Sequence, residues 1–174
     1  MIASGPRTMS DGVVALREVT RGDAEALYAW RMDDRSRPMF RSTARVTMDV
    51  HRAFMERYFQ AGNRDRWFVI ESGGRGVGTI TLYGFSPDGT RAEWGRLVVD
   101  PEQRGHGYGG RALALVIAHA RALGVRTLHC EVLEENRVAA GLYQGAGFRP
   151  TVVEEFEGRR FQQLELGLAP EDNP

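Results

Sequence analysis

The 174-residue sequence predicts a single α/β (α+β) domain built on a mixed, largely antiparallel sheet of six to seven strands. Two observations support this prediction. Short apolar, β-branched runs alternate along the chain with stretches whose apolar residues recur at helical spacing. Several strand-like runs are joined by short glycine- and aspartate-containing turns of the kind that connect antiparallel strands. The predicted order is β-α-α-β-β-β-α-β-α-β-β, with the domain at 13–168 between flexible tails at 1–12 and 169–174.

The N-terminal part of the domain contains one predicted strand and two predicted helices. The run 13–19 is strand-like, and Thr20 follows it as the start of a capping-box-like sequence completed by Asp23. An apolar stripe at helical spacing follows directly and predicts the first helix. A second helix begins at Thr47, and an arginine-rich loop at 32–46 separates the two helices.

The rest of the chain is predicted to supply six further strands and two helices. Turns connect the first three of these strands, which are therefore expected to pair antiparallel. One helix follows a glycine-rich loop, and the other begins at Asn136. The predicted strands are 67–70, 77–85, 91–99, 127–133, 152–156 and 161–166.

The most informative segment is the glycine-rich loop after the strand 91–99. Glycine occupies positions 105, 107, 109 and 110. Exposed N–H groups at the start of a helix make an anion site, because they have no intrahelical partner and the helix dipole adds positive potential. The spacing of these glycines matches neither the G-x-G-x-x-G of dinucleotide-binding folds nor a P-loop, which ends in Gly-Lys-Ser/Thr. The loop therefore predicts a phosphate site of another kind, with a flexible glycine turn as the alternative.

Composition excludes several other classes of function. The chain has 23 basic and 23 acidic side chains, so nothing points to nucleic acid or a membrane surface as a partner. The single cysteine, Cys130, excludes an internal disulfide, and no Cys/His cluster has metal-ligand spacing. No apolar run approaches the ~20 residues that span a bilayer, and the first ten residues lack the apolar core of a signal peptide. We therefore expect a cytoplasmic protein without a bound metal, either monomeric or homodimeric.

Two motifs lie about 30 residues apart in the second half of the chain. Arg104, Gly107 and Gly109 form an R-x-x-G-x-G pattern after a strand that ends in Val-Val-Asp-Pro. Downstream, the segment 136–148 reads NRVAAGLYQGAGF. Together they resemble the pyrophosphate loop and the N-x-x-A-x-x-L-Y-x-x-x-G-F helix of the GNAT superfamily of acyl-CoA-dependent N-acyltransferases. The resemblance covers about residues 13–168 and implies a partly antiparallel mixed sheet with helices on both faces.

The resemblance implies that acetyl-CoA, or a larger acyl-CoA, is the co-substrate. The loop N–H groups would hold its pyrophosphate, and Arg104 would add a charge-assisted bond. The strand before the loop splays from its neighbour in this superfamily, so its free backbone groups would hold the pantetheine arm. Asn136 is expected to cap its helix and, by resemblance, to contact the same arm. The implied donor-binding residues are Leu97, Val98, Val99, Arg104, Gly105, His106, Gly107, Tyr108, Gly109 and Asn136.

Acyl transfer to an amine needs an acid for the leaving thiolate and a base for the amine. Tyr143 stands where the superfamily carries its tyrosine acid, and a phenol with a reference pKa of ~10 is protonated at pH 7; an aromatic packed on the sheet is the alternative. Glu131 stands where some ribosomal-protein N-terminal acetyltransferases carry a proton-relaying glutamate, although many members keep one there to organise the site. Glu93 competes as the base, unless it is an exposed strand charge. His129 alternates with Glu131 along its strand, so both can face one side.

The acceptor pocket is predicted from a weaker resemblance. The segment WRMDDR at 30–35 resembles part of a pattern in N-acetyltransferases that act on 4-amino-sugar nucleotides, with Met32 in place of an asparagine. Arginines of the loop would meet the nucleotide diphosphate, namely Arg35, Arg37, Arg41 and Arg45, unless the loop is simply solvated. The implied acceptor-binding residues are Trp30, Arg31, Arg35, His51 and Trp94, the last by stacking on a sugar or base. A small-molecule amine is the favoured acceptor; a ribosomal-type protein N-terminal acetyltransferase and a non-catalytic acyl-CoA-binding domain stay open.

Overall fold

One eight-stranded mixed sheet runs through residues 8–169, the part of the chain that the computed structural model describes. The strands are β1 (Thr8–Ser10), β2 (Ala15–Glu18), β3 (Arg66–Ser72), β4 (Arg75–Tyr83), β5 (Arg91–Val99), β6 (Thr127–Leu133), β7 (Arg149–Phe156) and β8 (Arg159–Gly167). The helices are α1 (Ala24–Met32), α2 (Met48–Tyr58), α3 (Tyr108–Ala122) and α4 (Arg137–Gly145). Within this range no helix is both long enough and apolar enough to cross a membrane.

The strand order is β1-β2-β3-β4-β5-β6-β8-β7, and only the β5–β6 pair is parallel. This confirms the predicted mixed, largely antiparallel sheet, with one strand more than expected. The additional strand, β1, lies in the segment that the sequence analysis assigned to the N-terminal tail. It pairs with β2 across a turn in which the Asp11 carboxylate accepts the N–H groups of Val13 and Val14. With three residues and a single apolar side chain, Met9, this strand is too short for an apolar alternation to be recognised in the sequence.

Side-chain caps begin the helices where the sequence predicted them. Thr20 and Asp23 form the expected capping box, which opens a short 3₁₀ turn before α1. Thr47 Oγ1 accepts the N–H of Val50 at the start of α2. Asn136 Oδ1 accepts the N–H of Ala139 at 3.2 Å at the start of α4. Each bond satisfies a backbone donor that the first turn of a helix leaves free.

The helices cover both faces of the sheet. Successive side chains of a strand point to opposite faces, and β3 shows which helices lie on each. Phe68 and Ile70 pack in a cluster with α3 and α4, whereas Trp67 and Val69 pack in a second cluster with α1 and α2. The predicted placement of helices on both faces is confirmed.

A wedge opens between β5 and β6 in the middle of the sheet. The two strands pair only at 91–93 with 127–129, and beyond Glu93 they separate while β6 continues along β8. A bulge in β5 sharpens the separation, because three residue steps from Gly95 to Val98 face two on β4, and Arg96 takes a φ of 52°. Gly78 makes this bulge possible, since a Cβ there would lie 2.3 Å from the carbonyl oxygen of Val98.

Candidate active site

A cavity of about 1150 Å³ occupies the wedge and continues beneath the loop that follows α1. Its volume slightly exceeds the ~300–1,000 Å³ typical of small-molecule sites, so it can hold two reactants side by side. One end is lined by β5, the glycine-rich loop and α4, and the other end by α1, α2 and the loop 33–46. Among the described residues, no group of three or more His, Cys, Asp or Glu is arranged to hold a metal ion.

The glycine-rich loop presents free N–H groups to this cavity. Gly107 is the N-cap residue of α3 with a φ of 76°, and Gly105 has a φ of 84°. The N–H groups of residues 105–110 donate to no acceptor within the described chain. A Cβ on Gly107 would meet no atom within 4 Å, so glycine is required there for its left-handed backbone and not for space. These donors at a helix N-terminus fit a pyrophosphate.

Most of the other predicted donor-binding residues line the same end of the cavity. Leu97, Val98 and Val99 lie on the β5 edge that faces the wedge, where β6 no longer pairs with them. Asn136 lines the cavity while it caps α4. The Arg104 guanidinium also lines it and donates to Ser36 Oγ at 2.8 Å, a bond that joins the glycine loop to the loop after α1.

The His106 side chain stands apart from the others. Its ring stacks on Tyr108 with 5.4 Å between centroids, and its Nδ1 lies 3.1 Å from the carbonyl oxygen of Gln103. It is exposed and does not line the cavity, whereas Tyr108 does. The structure therefore leaves His106 only its backbone N–H as a contact for the donor.

Tyr143 has structural features that fit both of the alternatives left open by the sequence. Its ring packs edge-on against Trp94, with 4.7 Å between centroids, so it is an aromatic of the core. Its hydroxyl makes no hydrogen bond to any described residue, and the side chain lines the cavity. Burial raises the pKa of the Tyr143 phenol, with a smaller contribution from Cys130. The proton therefore stays on Tyr143 Oη at neutral pH.

Glu131 lies in the cavity wall, but its carboxylate is occupied. Arg41 donates from Nε to both Glu131 oxygens at 3.0 Å and from Nη2 to Oε2 at 2.5 Å. Gln163 Nε2 adds a third donor at 3.2 Å, and the same Arg41 also donates to Glu154. Taking a proton from an amine would disrupt this ion pair. The geometry therefore favours the structural alternative for Glu131, which holds Arg41 in place.

Glu93 is the carboxylate with an available oxygen. It stands at the last residue pair before β5 and β6 separate, and it lines the cavity. Oε1 accepts a 2.5 Å hydrogen bond from Tyr83 Oη, and burial raises the Tyr83 pKa, so the phenol is the donor. Oε2 accepts no hydrogen bond among the described residues, and its nearest basic group is His129 Nε2 at 3.9 Å. His129 itself does not line the cavity, and its Nδ1 is buried without a described partner.

The acid and base candidates lie on opposite faces of the sheet. Tyr143 belongs to the cluster with α3 and α4. Glu93 is bonded to Tyr83, whose ring lies under the Arg96 guanidinium next to Phe54 of α2, on the other face. The wedge is the passage between the two faces, because β5 and β6 share no hydrogen bonds there. Two reactants that enter from opposite faces of the sheet would therefore meet at this gap.

The predicted acceptor residues divide into two groups. Trp30 and Trp94 are core residues, 9% and 1% exposed; Trp94 contributes to the cavity lining, whereas Trp30 does not. Arg31 and His51 line the end of the cavity formed by α1, α2 and the loop 33–46 (the acceptor end), and Arg35 also reaches it. Burial lowers the pKa of His51, which is therefore a neutral imidazole at pH 7.

The arginines of the loop after α1 are engaged with carboxylates. Arg35 pairs with Asp33 and with Glu102. Asp34 pairs with both Arg37 and Arg45. Arg41 pairs with Glu131 and Glu154. Ion pairs thus bind all four arginines that were expected to meet a nucleotide diphosphate, namely Arg35, Arg37, Arg41 and Arg45.

Sequence reasoning missed three contributors to the site. Tyr83 supplies the hydrogen bond to Glu93, Arg96 sits at the bulge, and Arg57 reaches the cavity from α2. The register of an antiparallel hairpin would place Tyr83 opposite Glu93, because the turn between them is short. No sequence signal marks Arg96, since its role depends on a bulge that forms against Gly78 on another strand.

Comparison with known proteins agrees with this fold. The model of the acetyltransferase (GNAT) family matches residues 24–148, more than half of the chain. The chain belongs to the GNAT acetyltransferase family, which confirms the resemblance inferred from the two motifs. A mycothiol acetyltransferase from Cellulomonas flavigena is 42% identical over 60 residues, which are 34% of this chain but only 17% of that protein. This chain therefore matches less than a fifth of that curated relative.

Solved structures show the same fold at low sequence identity. Spermidine N-acetyltransferase from Vibrio cholerae, in complex with CoA and spermine, has a TM-score of 0.82 at 19% identity, over 90% of this chain and 96% of that one. A ribosomal L7/L12 alpha-N-protein acetyltransferase in complex with coenzyme A has a TM-score of 0.78 at 14% identity, over 92% and 98%. Both structural similarities establish the fold of this chain.

Proposed function

We propose that this protein is an acetyl-CoA-dependent N-acetyltransferase that acts on the primary amine of a small molecule. One observation carries the proposal: a free phenol and a carboxylate with an open oxygen face the same wedge, at the end of a loop of unpaired N–H groups. The loop after α1 supports a small acceptor, because its bonds to Glu102, Arg104 and Glu131 hold it over the acceptor end as a wall.

Different residues of the chain would bind the donor, accept the amine proton and protonate the leaving thiolate. The N–H groups of 105–110 would hold the pyrophosphate of acetyl-CoA, and the free edge of β5 would hold its pantetheine arm. The thioester supplies the activated acetyl group. Glu93 Oε2 would take the proton that the attacking amine loses, while Tyr83 keeps the carboxylate oriented. Tyr143 Oη carries the proton that the departing thiolate needs.

The direct test follows thiol release from acetyl-CoA while candidate amines are added. We expect release with at least one primary amine and none with the matching tertiary amine. The panel would contain amino acids, amino-sugar nucleotides, polyamines and N-terminal peptides. Tight CoA binding without release for any amine would contradict the enzyme and favour a non-catalytic acyl-CoA-binding domain.

The Tyr143→Phe variant tests the acid. Removing one hydroxyl keeps the ring against Trp94, so folding should be unchanged while kcat falls by roughly 10²–10⁴-fold. Acetyl-CoA affinity, measured by calorimetry, should change little. Tyr28→Phe is the matched control, since that phenol donates to the Val46 carbonyl and is not part of the cavity lining. Full turnover in Tyr143→Phe would remove Tyr143 as the acid.

A further inference from the structure

The arginines that line the cavity differ in whether a carboxylate neutralises them. Arg35 and Arg41 are ion-paired. The other four form no salt bridge to any carboxylate of the described chain; they are Arg31, Arg57, Arg96 and Arg104. Arg104 belongs to the glycine loop at the donor end. The remaining three stand at the acceptor end, on α1, α2 and the β5 bulge, and leave it with an excess of positive charge.

Arg31 is the clearest case of a cation without a counter-ion. Its guanidinium stacks on the Phe40 ring, 3.8 Å from the centroid, and Nη2 donates to the carbonyl oxygen of Ser42 at 2.7 Å. Nη1 is buried and has no partner among the described residues. Desolvation lowers the pKa of Arg31 to about 10, and the nearby charge of Arg37 acts in the same direction. An unpaired, partly buried cation opposes folding unless something binds it.

Arg96 and Arg57 place two more guanidinium groups nearby. Arg96 lies over the Tyr83 ring at 4.4 Å and over the Phe54 ring at 5.2 Å. Arg57 contacts Phe54 as well, at 5.4 Å. The aromatic rings hold both guanidinium groups in position and leave their N–H donors without a carboxylate. Because Tyr83 also bonds to Glu93, this cationic group adjoins the candidate base.

We propose that the acceptor carries an anionic group, a carboxylate or a phosphate, in addition to its amine, and that Arg31 and Arg96 bind this group. The inference rests on the proposed transfer to a primary amine and names the class of its substrate. The unpartnered Nη1 of Arg31 and the guanidinium of Arg96 would donate charge-assisted hydrogen bonds to either anion. The anion would neutralise the cations at the acceptor end while the amine approaches Glu93. A polyamine would add positive charge to the same place and is disfavoured.

The test uses amines of equal length that differ only at the far end. Each set contains an ω-amino acid, its primary amide, the corresponding diamine and the aminoalkyl phosphate, with chains from three to eight carbons. We expect one anionic acceptor to exceed its amide and diamine at least 10-fold in kcat/KM. Preference for the carboxylate or for the phosphate identifies which anion the site accepts. A preferred diamine or amide would overturn the proposal.

Variants link the preference to named residues. Arg31→Gln and Arg96→Gln should each raise KM for the anionic acceptor about 10-fold or more, leave KM for the amide nearly unchanged and preserve acetyl-CoA affinity. Arg52→Gln is the control, because that arginine pairs with Glu25 outside this cavity. An unchanged ratio of anionic to amide acceptor in both variants would refute the assignment. Loss of acetyl-CoA affinity instead would assign the arginines to the donor.

A binding measurement separates this inference from the proposed function. The unreactive carboxylic acid that matches the best chain length should raise the Tm of the wild-type protein but not of Arg31→Gln. Such a shift without thiol release from any amine would support the anion site and contradict the transferase. Thiol release with neutral amines and no Tm shift would support the transferase and contradict the anion site.

Discussion

At the scale of single residues, the partners of two carboxylates decide their roles. Glu131 is bound by a guanidinium, whose N–H groups occupy both carboxylate oxygens. Glu93 is bound by a neutral phenol at one oxygen, and the other oxygen is open to the cavity. A base must accept a proton and release it again, so the carboxylate with one oxygen free of hydrogen bonds suits that task.

The Glu93→Gln variant should lower kcat by roughly 10²-fold or more, because the amide cannot take the amine proton. Its remaining rate should rise with pH, since only amine that is already neutral can then attack. Initial rates from pH 6 to 10, followed by thiol release, check this expectation. A variant with wild-type kcat across that range would contradict the assignment.

The Glu131→Gln variant provides the contrast at the neighbouring carboxylate. It keeps the shape but weakens the hold on Arg41, which retains Glu154. KM for the acceptor should then increase more than kcat decreases. A kcat loss as large as that of Glu93→Gln would instead identify Glu131 as the base.

The location of the predicted residues could be inferred more fully at the donor end of the cavity than at the acceptor end. Asn136, Tyr143 and the loop glycines line the cavity as their local motifs suggest, because their positions depend on helix ends a few residues away. The bond from Arg41 to Glu131 joins positions 90 residues apart, and no local pattern reveals it. The same limit applies to Trp30, whose aromatic side chain fits a binding surface or a core equally well until the packing of α1 is known.

At the scale of secondary-structure elements, the start of α3 carries the proposed donor site. Gly107→Val should reduce acetyl-CoA affinity by at least 10-fold, because a β-branched residue resists the φ of 76° and shifts the N–H groups. Since a Cβ there contacts nothing, the fold should survive with a loss of about 1–3 kcal/mol in unfolding free energy. Calorimetric titration with CoA and thermal melting measure the two effects.

Gly62 offers a matched control for this variant. It has a φ of 85°, a Cβ would again meet nothing within 4 Å, and it is not part of the cavity lining. Gly62→Val should therefore cost similar stability and leave CoA affinity intact. Equal affinity losses in both variants would show that the strain acts through the whole fold and would contradict the loop assignment.

The order of elements was predictable, whereas the details that shape the wedge were not. Apolar spacing and turn residues indicate four helices and seven of the eight strands. The strand β1 carries too few apolar residues to be seen, and the bulge at Arg96 depends on the close approach of Gly78 to the Val98 carbonyl. Such contacts depend on the register between paired strands, and that register is known only once the whole sheet has been assembled.

At the scale of the whole molecule, side-chain bonds close the cavity by joining distant segments. The loop after α1 is bonded to the glycine loop through Arg35–Glu102 and to β6 and β7 through Arg41. Arg159 of β8 donates to the carbonyl oxygens of Phe40 and Pro38 in the same loop. Side chains of the glycine loop, β6, β7 and β8 therefore hold the loop after α1 over the acceptor end of the cavity.

Stability should fall when the pH drops from about 4 towards 2. The pKa values of Asp11, Asp33 and Asp88 are lowered from 3.8 to about 2, chiefly by the Val14 N–H, by Arg35 and by Ser86 respectively. Because these folded-state values lie below the unfolded value, the unfolded chain binds more protons in this window. The stabilisation is complete above the unfolded pKa and disappears as pH falls through the folded pKa. Urea midpoints from pH 2 to 6 measure the slope.

Replacing two of these carboxylates tests the cause of that slope. The double variant Asp11→Asn with Asp88→Asn should lower the midpoint at pH 6 and flatten its decline below pH 4, because two of the lowered pKa values are gone. Asp49→Asn is the control, since the Asp49 carboxylate accepts no side-chain or backbone hydrogen bond within the described chain. A wild-type midpoint that stays level between pH 5 and pH 2.5 would contradict the lowered pKa values, and an unchanged slope in the double variant would assign the acid sensitivity to other groups.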